Sequence, residues 1–178
     1  MSADSAHPSC AIRELAAEDP PLIAAAFTAQ GWSKPREQFE RYLGEQRDGR
    51  RTVLIAEVDR ELAGYLTIWW RAAYPYRPDT QIPEIRDFNV LRAFQRRGVG
   101  TRLMDEAEAR VARVSDEIGI GVGLHHGYGQ AQILYVKRGY VPDGRGVEYR
   151  DRPALVGETV ANDDELILRF VKRLRARR

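Results

Sequence analysis

The chain has 178 residues, 43% of them hydrophobic and 30% charged, with a formal net charge of +2. That length suits one domain with a real core, and so small a net charge argues against a nucleic-acid binder. A single cysteine, Cys10, excludes an internal disulfide and a cysteine-based zinc site and points to a reducing interior. Residues 1–9 lack the basic and apolar regions of a signal peptide and read as a disordered lead. No apolar run of about 18 residues occurs, so no membrane partner is expected and the expected address is the cytoplasm.

Taken in order, Ala11 to Leu15 read as a short strand. Pro20 or Pro21 opens a helix through Ala29. After the break at Gly31 to Pro35, Ser33 is placed to cap a second helix that carries Phe39, Tyr42 and Leu43 on one face. Residues 51–58 and 61–70 are β-rich and flank Asp59-Arg60, which predicts an antiparallel hairpin. Residues 71–83, with three prolines, read as a loop, and a central strand follows over 84–91. The helix after Gly98 sets Leu103, Met104, Ala107, Val111 and Val114 at helical spacing. Ile118 to Leu124 is a short apolar strand whose glycines tolerate close neighbours. Residues 129–138 form a helix stopped by Gly139. The last strands are 147–150 and 165–171, joined by a loop, and 173–178 is a basic tail. Residues 10–172 form the single expected domain, a mixed α/β sheet with helices on both faces.

The stretch with chemical character is the turn from the central strand into the following helix. Glu84, Phe88 and Val90 share one face if the strand is regular. Gln95, Arg96, Arg97, Gly98, Val99, Gly100 and Thr101 then combine glycines, arginines and a helix N-terminus whose first N–H groups have no internal partner. Such an arrangement suits a phosphate-like anion, although a solvated turn uses the same residues.

Gln95-x-x-Gly98-x-Gly100 after a strand resembles the pyrophosphate-binding motif of the GNAT family, the GCN5-related N-acetyltransferases. Ala131-x-x-Leu134-Tyr135-x-x-x-Gly139-Tyr140 is similar to that family's helix-to-strand segment, in the family's order and separation. The resemblance spans roughly residues 10–172. It implies the GNAT fold, a mostly antiparallel sheet of six to seven strands. It also implies acetyl-CoA as co-substrate and direct transfer of acetyl to a primary amine within a ternary complex. The central strand would splay from its neighbour near Val90. Backbone groups of Phe88, Asn89 and Val90 would pair with the pantetheine.

Tyr135 matches the family's general-acid tyrosine, and a phenol can donate to a thiolate of comparable basicity. Glu84 matches the general-base glutamate of the histone-acetyltransferase branch. Asp87 is its rival, on the opposite face of a regular strand, and water is a third route. Where many members carry Asn, this chain has Tyr128, so cofactor contacts there fall to Tyr128 with Gln130 or Gln132. His125 and His126 have no acidic neighbour at metal-ligand spacing, and no metal is expected. The acceptor pocket is expected from the loops near 31–35, 69–83 and 144–164, with Trp32, Trp69, Trp70, Tyr74, Tyr76, Arg71 and Arg77. A small-molecule amine is the expected partner, with a homodimer left open. A catalytically silent CoA-binding sensor is the alternative. A serine or cysteine hydrolase is not expected, since no G-x-S-x-G occurs and Cys10 lies at the end of the N-terminal lead.

Overall fold

The turn chemistry of the hairpin and the apolar spacing of the helices are realised in the structure, a computed structural model that describes residues 10–73 and 81–174. The elements are β1 (Cys10–Glu14), α1 (Asp19–Ala29), α2 (Arg36–Arg47), β2 (Arg51–Val58), β3 (Glu61–Ala73) and β4 (Gln81–Val90). They continue with α3 (Val99–Val111), β5 (Glu117–Gly123), α4 (Gly129–Lys137), β6 (Val141–Tyr149), β7 (Arg152–Pro153) and β8 (Leu166–Arg173). The strands lie in one sheet in the order β1-β2-β3-β4-β5-β8-β6-β7. Only β4 and β5 run parallel among the described ladders, through Glu84 opposite Gly119 and Ile85 opposite Ile120.

The chain divides into two compact units. One takes the chain up to Trp70 with Asp87–Ala109; the other takes Arg71–Arg86 with the chain from Arg110 onward. In the first, Asp59 and Arg60 both have positive φ, 52° and 70°, so the two-residue turn twists with its strands. α1 closes with Gly31 N–H to Thr28 C=O and Trp32 N–H to Phe27 C=O. That paired closure points the chain into the 31–35 loop. Val99, Leu103, Met104 and Ala107 of α3 are at most 1% exposed. Phe27 and Phe39 pack edge-on against Tyr65, with ring centroids 5.4 and 5.2 Å away.

In the second unit the β5–β8 ladder runs from Glu117 opposite Arg173 to Gly123 opposite Ile167. Ile118, Ile120, Val122 and Tyr140 form its buried centre. Gly139 and Tyr140 close α4 with N–H bonds to Val136 and Tyr135, as the Gly139 stop predicts.

Several boundaries differ from expectation. Ser33 does not cap α2: Pro35 occupies the cap position and no side chain serves there. The expected 71–83 loop is strand at both ends: β3 reaches Ala73 and β4 starts at Gln81. Tyr74, Tyr76 and Arg77 lie outside the described residues, as does the 1–9 lead. α3 ends at Val111, leaving Val114 in a turn and 72% exposed. β6 starts at Val141, six residues early. The loop after it holds the two-residue β7, which makes the sheet eight-stranded.

Candidate active site

The loop from Gln95 to Thr101 belongs to the first unit. α3 starts at Val99, and the first main-chain bond across that end runs from Arg102 N–H to the Gly98 carbonyl. The N–H groups of Val99, Gly100 and Thr101 therefore precede the helical ladder. No acidic residue lies in that first turn. Gln95, Arg96, Arg97 and Gly98 are exposed. Gly98 has φ 80°, and the space where a Cβ would stand is open. At Gly100 a Cβ would lie 3.2 Å from the Phe88 ring and 3.7 Å from Val90. Phe88 and Val90 thus share a face, as expected, and it is the face against the start of α3. Gln95 Nε2 donates to the Val90 carbonyl at 3.1 Å, which ties the loop to the strand. These residues fit a diphosphate: backbone donors at a positive helix end, cationic side chains, and no Cβ in the approach.

β4 is not regular where it matters. Asp87 has φ 48°, a left-handed residue inside a strand, so strict alternation does not govern its side chain. Its carboxylate collects five donors. Oδ1 accepts from Lys34 Nζ at 2.5 Å and Asn89 Nδ2 at 2.8 Å. Oδ2 accepts from Gln38 Nε2 at 2.6 Å, Tyr65 OH at 2.8 Å and Tyr42 OH at 3.0 Å. Burial, and then the Asp87 charge, push the Tyr42 phenol up to about 12 and the Tyr65 phenol further in the same direction. Both stay protonated and remain donors.

Glu84 lies in the second unit and is 2% exposed. Its Oε1 is held by Arg169 and its Oε2 accepts from Arg86 Nε at 2.8 Å. Arg169, 5% exposed, also donates through Nε to Glu148 at 2.6 Å and through Nη2 to Asp151 at 3.1 Å. Both Glu84 oxygens therefore face guanidinium donors. No sequence signal other than an arginine inside an apolar strand pointed to Arg169.

Tyr135 is 4% exposed, and burial, followed by Tyr128, raises its phenol above the ordinary value. Its ring lies 6.1 Å from that of Tyr140. Tyr128 lies flat on β5: a Cβ on Gly123 would fall 2.4 Å from its ring. Its hydroxyl donates to Asp164 at 3.0 Å. Gln132 donates to the Gly123 carbonyl at 2.9 Å, whereas Gln130 is exposed. His125 has an acidic partner that is not at metal-ligand spacing. Asp164 sits 2.9 Å from its Nε2, while Gly127 N–H donates to its Nδ1. That partner arrives from 39 residues away, beyond local spacing. Among the described residues no group of three or more His, Cys, Asp or Glu is placed to hold a metal ion.

Trp32 stacks on Phe27 at 5.9 Å with Arg92 above it, Trp69 lies under Arg51, and Trp70 Nε1 donates to Thr52. These tryptophans are engaged within the first unit.

The family model described as acetyltransferase (GNAT) family matches residues 11–140, well over half of the chain. The chain belongs to the GNAT family. Solved GNAT structures share its fold. One, from Desulfovibrio desulfuricans and described as an acetyltransferase of the GNAT family, is 15% identical, with TM-score 0.70, over 93% of this chain and 99% of that one. Spermidine N-acetyltransferase from Vibrio cholerae, in complex with CoA and spermine, is 16% identical at TM-score 0.67 over 94% and 96%. The ribosomal-protein-S18-alanine N-acetyltransferase from Escherichia coli is 14% identical at TM-score 0.66 over 93% and 94%. At such identities the likeness is one of fold. No curated protein sequence matches the chain. GNAT membership makes it an acetyltransferase by family.

Proposed function

We propose that this GNAT protein moves the acetyl group of acetyl-CoA directly to the primary amine of a small molecule. The open N-terminus of α3 carries the reading: Gly98, Gly100 and the N–H groups of residues 99–101 form a cradle for the CoA diphosphate, with Arg96 and Arg97 beside it. The backbone of Phe88, Asn89 and Val90 pairs with the pantetheine amides. When bound, acetyl-CoA supplies an activated thioester; this chain's residues orient it and handle the protons.

Asp87 is the carboxylate we assign to the acceptor amine. It is already reached by an ammonium, that of Lys34, and is three residues from Val90. Glu84, with both oxygens held by arginines, is a positioning residue of the Arg169 network. Tyr135, protonated at neutral pH, is the donor to the leaving thiolate. Tyr128, pinned on Gly123, fills the family's Asn position, and Gln130 is the exposed group near it. That the structural neighbours are named as N-acetyltransferases of spermidine and of a ribosomal-protein alanine supports an amine acceptor.

The test is calorimetric titration with acetyl-CoA, then thiol release with an amine panel. Micromolar binding with turnover is expected. Binding without turnover of any amine favours the silent CoA-sensing module. No binding overturns the reading.

A further inference from the structure

We propose that Lys34 is an internal acceptor, its ε-amine taking an acetyl group from acetyl-CoA bound to the same chain; this rests on the transferase reading above. The composition first singles the residue out. Of 28 basic residues only three are lysines, Lys34, Lys137 and Lys172. Arginine does not deprotonate in a protein and is no acyl acceptor, whereas lysine becomes one as soon as its proton is removed. The chain thus places one of its few acylable side chains against the carboxylate assigned to the acceptor amine.

The geometry gives Lys34 an acceptor's surroundings. It sits on the loop between α1 and α2, with its side chain 20% exposed. Its Nζ lies 2.5 Å from Asp87 Oδ1 and 5.8 Å from the Tyr65 ring centroid. The other four donors to Asp87 are neutral and stand on α2, β3 and β4 (Gln38, Tyr42, Tyr65 and Asn89). An ionised carboxylate offers about four lone-pair sites. When Lys34 leaves, Oδ2 keeps three donors and Oδ1 keeps Asn89, so Asp87 stays hydrogen-bonded while Oδ1 is freed for another cation.

The step balances. The Nζ proton passes to Asp87 along the existing bond, and the nitrogen lone pair attacks the thioester carbonyl. The C–N bond forms and the C–S bond breaks. The sulfur leaves with its electron pair and takes the second Nζ proton to become CoA thiol, and Asp87 gives the first to solvent. The ammonium and acetyl-CoA become acetyl-lysine, CoA and one released proton. The acetylated side chain carries no charge, so the ion pair ends and Asp87 is opened to an external ammonium.

Full-length protein is incubated with acetyl-CoA, and modified peptides are quantified by mass spectrometry. Acetyl-lysine is expected at Lys34, at a rate independent of protein concentration and about tenfold or more above that at Lys137 and Lys172. Asp87→Asn should slow Lys34 by about tenfold or more, and Lys34→Arg should abolish labelling there. With a small N-hydroxysuccinimide acetate and no acetyl-CoA the order should reverse, exposed Lys137 reacting before ion-paired Lys34. Lys34 unmodified in protein that binds acetyl-CoA by calorimetry overturns the inference and leaves the transferase reading intact. The inference is equally overturned if Lys34 leads with both reagents, or if its rate rises with protein concentration. Absence of acetyl-CoA binding overturns both.

Discussion

At Gly98 a single side chain decides whether an anion can approach. The backbone there is left-handed and its Cβ direction is open. Gly98→Glu sets a carboxylate where the diphosphate is proposed to sit and strains the backbone, and acetyl-CoA affinity should fall at least about a hundredfold by calorimetry. Unchanged affinity would mean that the loop is only a turn. Tyr135→Phe removes a buried hydroxyl and little packing. Turnover should fall about a hundredfold with CoA affinity retained, and equal loss of both would assign Tyr135 to packing alone. Glu84→Gln and Asp87→Asn separate the two carboxylates. The glutamate change should lower the melting temperature, since it leaves Arg169 underpaired, while preserving the shape of the pH–rate profile. The aspartate change should alter that profile.

Elements are fixed by ties that the alternation of the sequence does not display. Asp19, 3% exposed at the start of α1, accepts from both terminal nitrogens of Arg13 in β1 and from the Ala16 N–H. Burial alone would raise its carboxyl; Arg13 and the backbone donor outweigh it and hold it below the usual value. A depressed carboxyl contributes stability above its unfolded pKa, and that contribution is lost as pH falls through the lower folded value. Asp19→Asn should therefore cost about 1–3 kcal/mol at neutral pH and flatten the acid limb of a stability–pH curve. A parallel acid limb would remove Asp19 from that role. In β3, a Cβ on Gly64 would lie 2.5 Å from the Asn89 carbonyl oxygen and 2.9 Å from the Val90 Cα. Gly64→Ala should push on the same backbone that the pantetheine is proposed to use, and so weaken acetyl-CoA binding as well as stability.

For the whole molecule, the family model and the shared fold make a ligand-linked prediction. Acetyl-CoA at about 100 times its Kd should add about 2.7 kcal/mol of stability. For a chain of this size that is a rise of about 5–10 °C in the melting temperature. Free CoA should do nearly as well, because the proposed grip is on the diphosphate and pantetheine. Among the described residues no helix is long and apolar enough to cross a membrane.

The order of strands and helices was legible in the sequence because each element carries its own local signal. Asp59-Arg60 lies between two β-rich runs, apolar residues in α3 recur at helical spacing, and Gly139 stops α4. The loop proposed to hold the diphosphate was readable for the same reason: Gln95 to Thr101 is contiguous, and its chemistry is that of backbone and neighbours. Contacts between distant segments were not. Asp87 meets Lys34 across 53 residues, Arg169 meets Glu84 across 85, and His125 meets Asp164 across 39. Nor does side-chain spacing reveal the left-handed Asp87, since alternation assumes the regular strand that this residue interrupts. Local propensity determined the elements and the glycine-bearing turn into α3; only the fold, by bringing remote charges together, decided which carboxylate is held by arginines and which one faces a lysine amine.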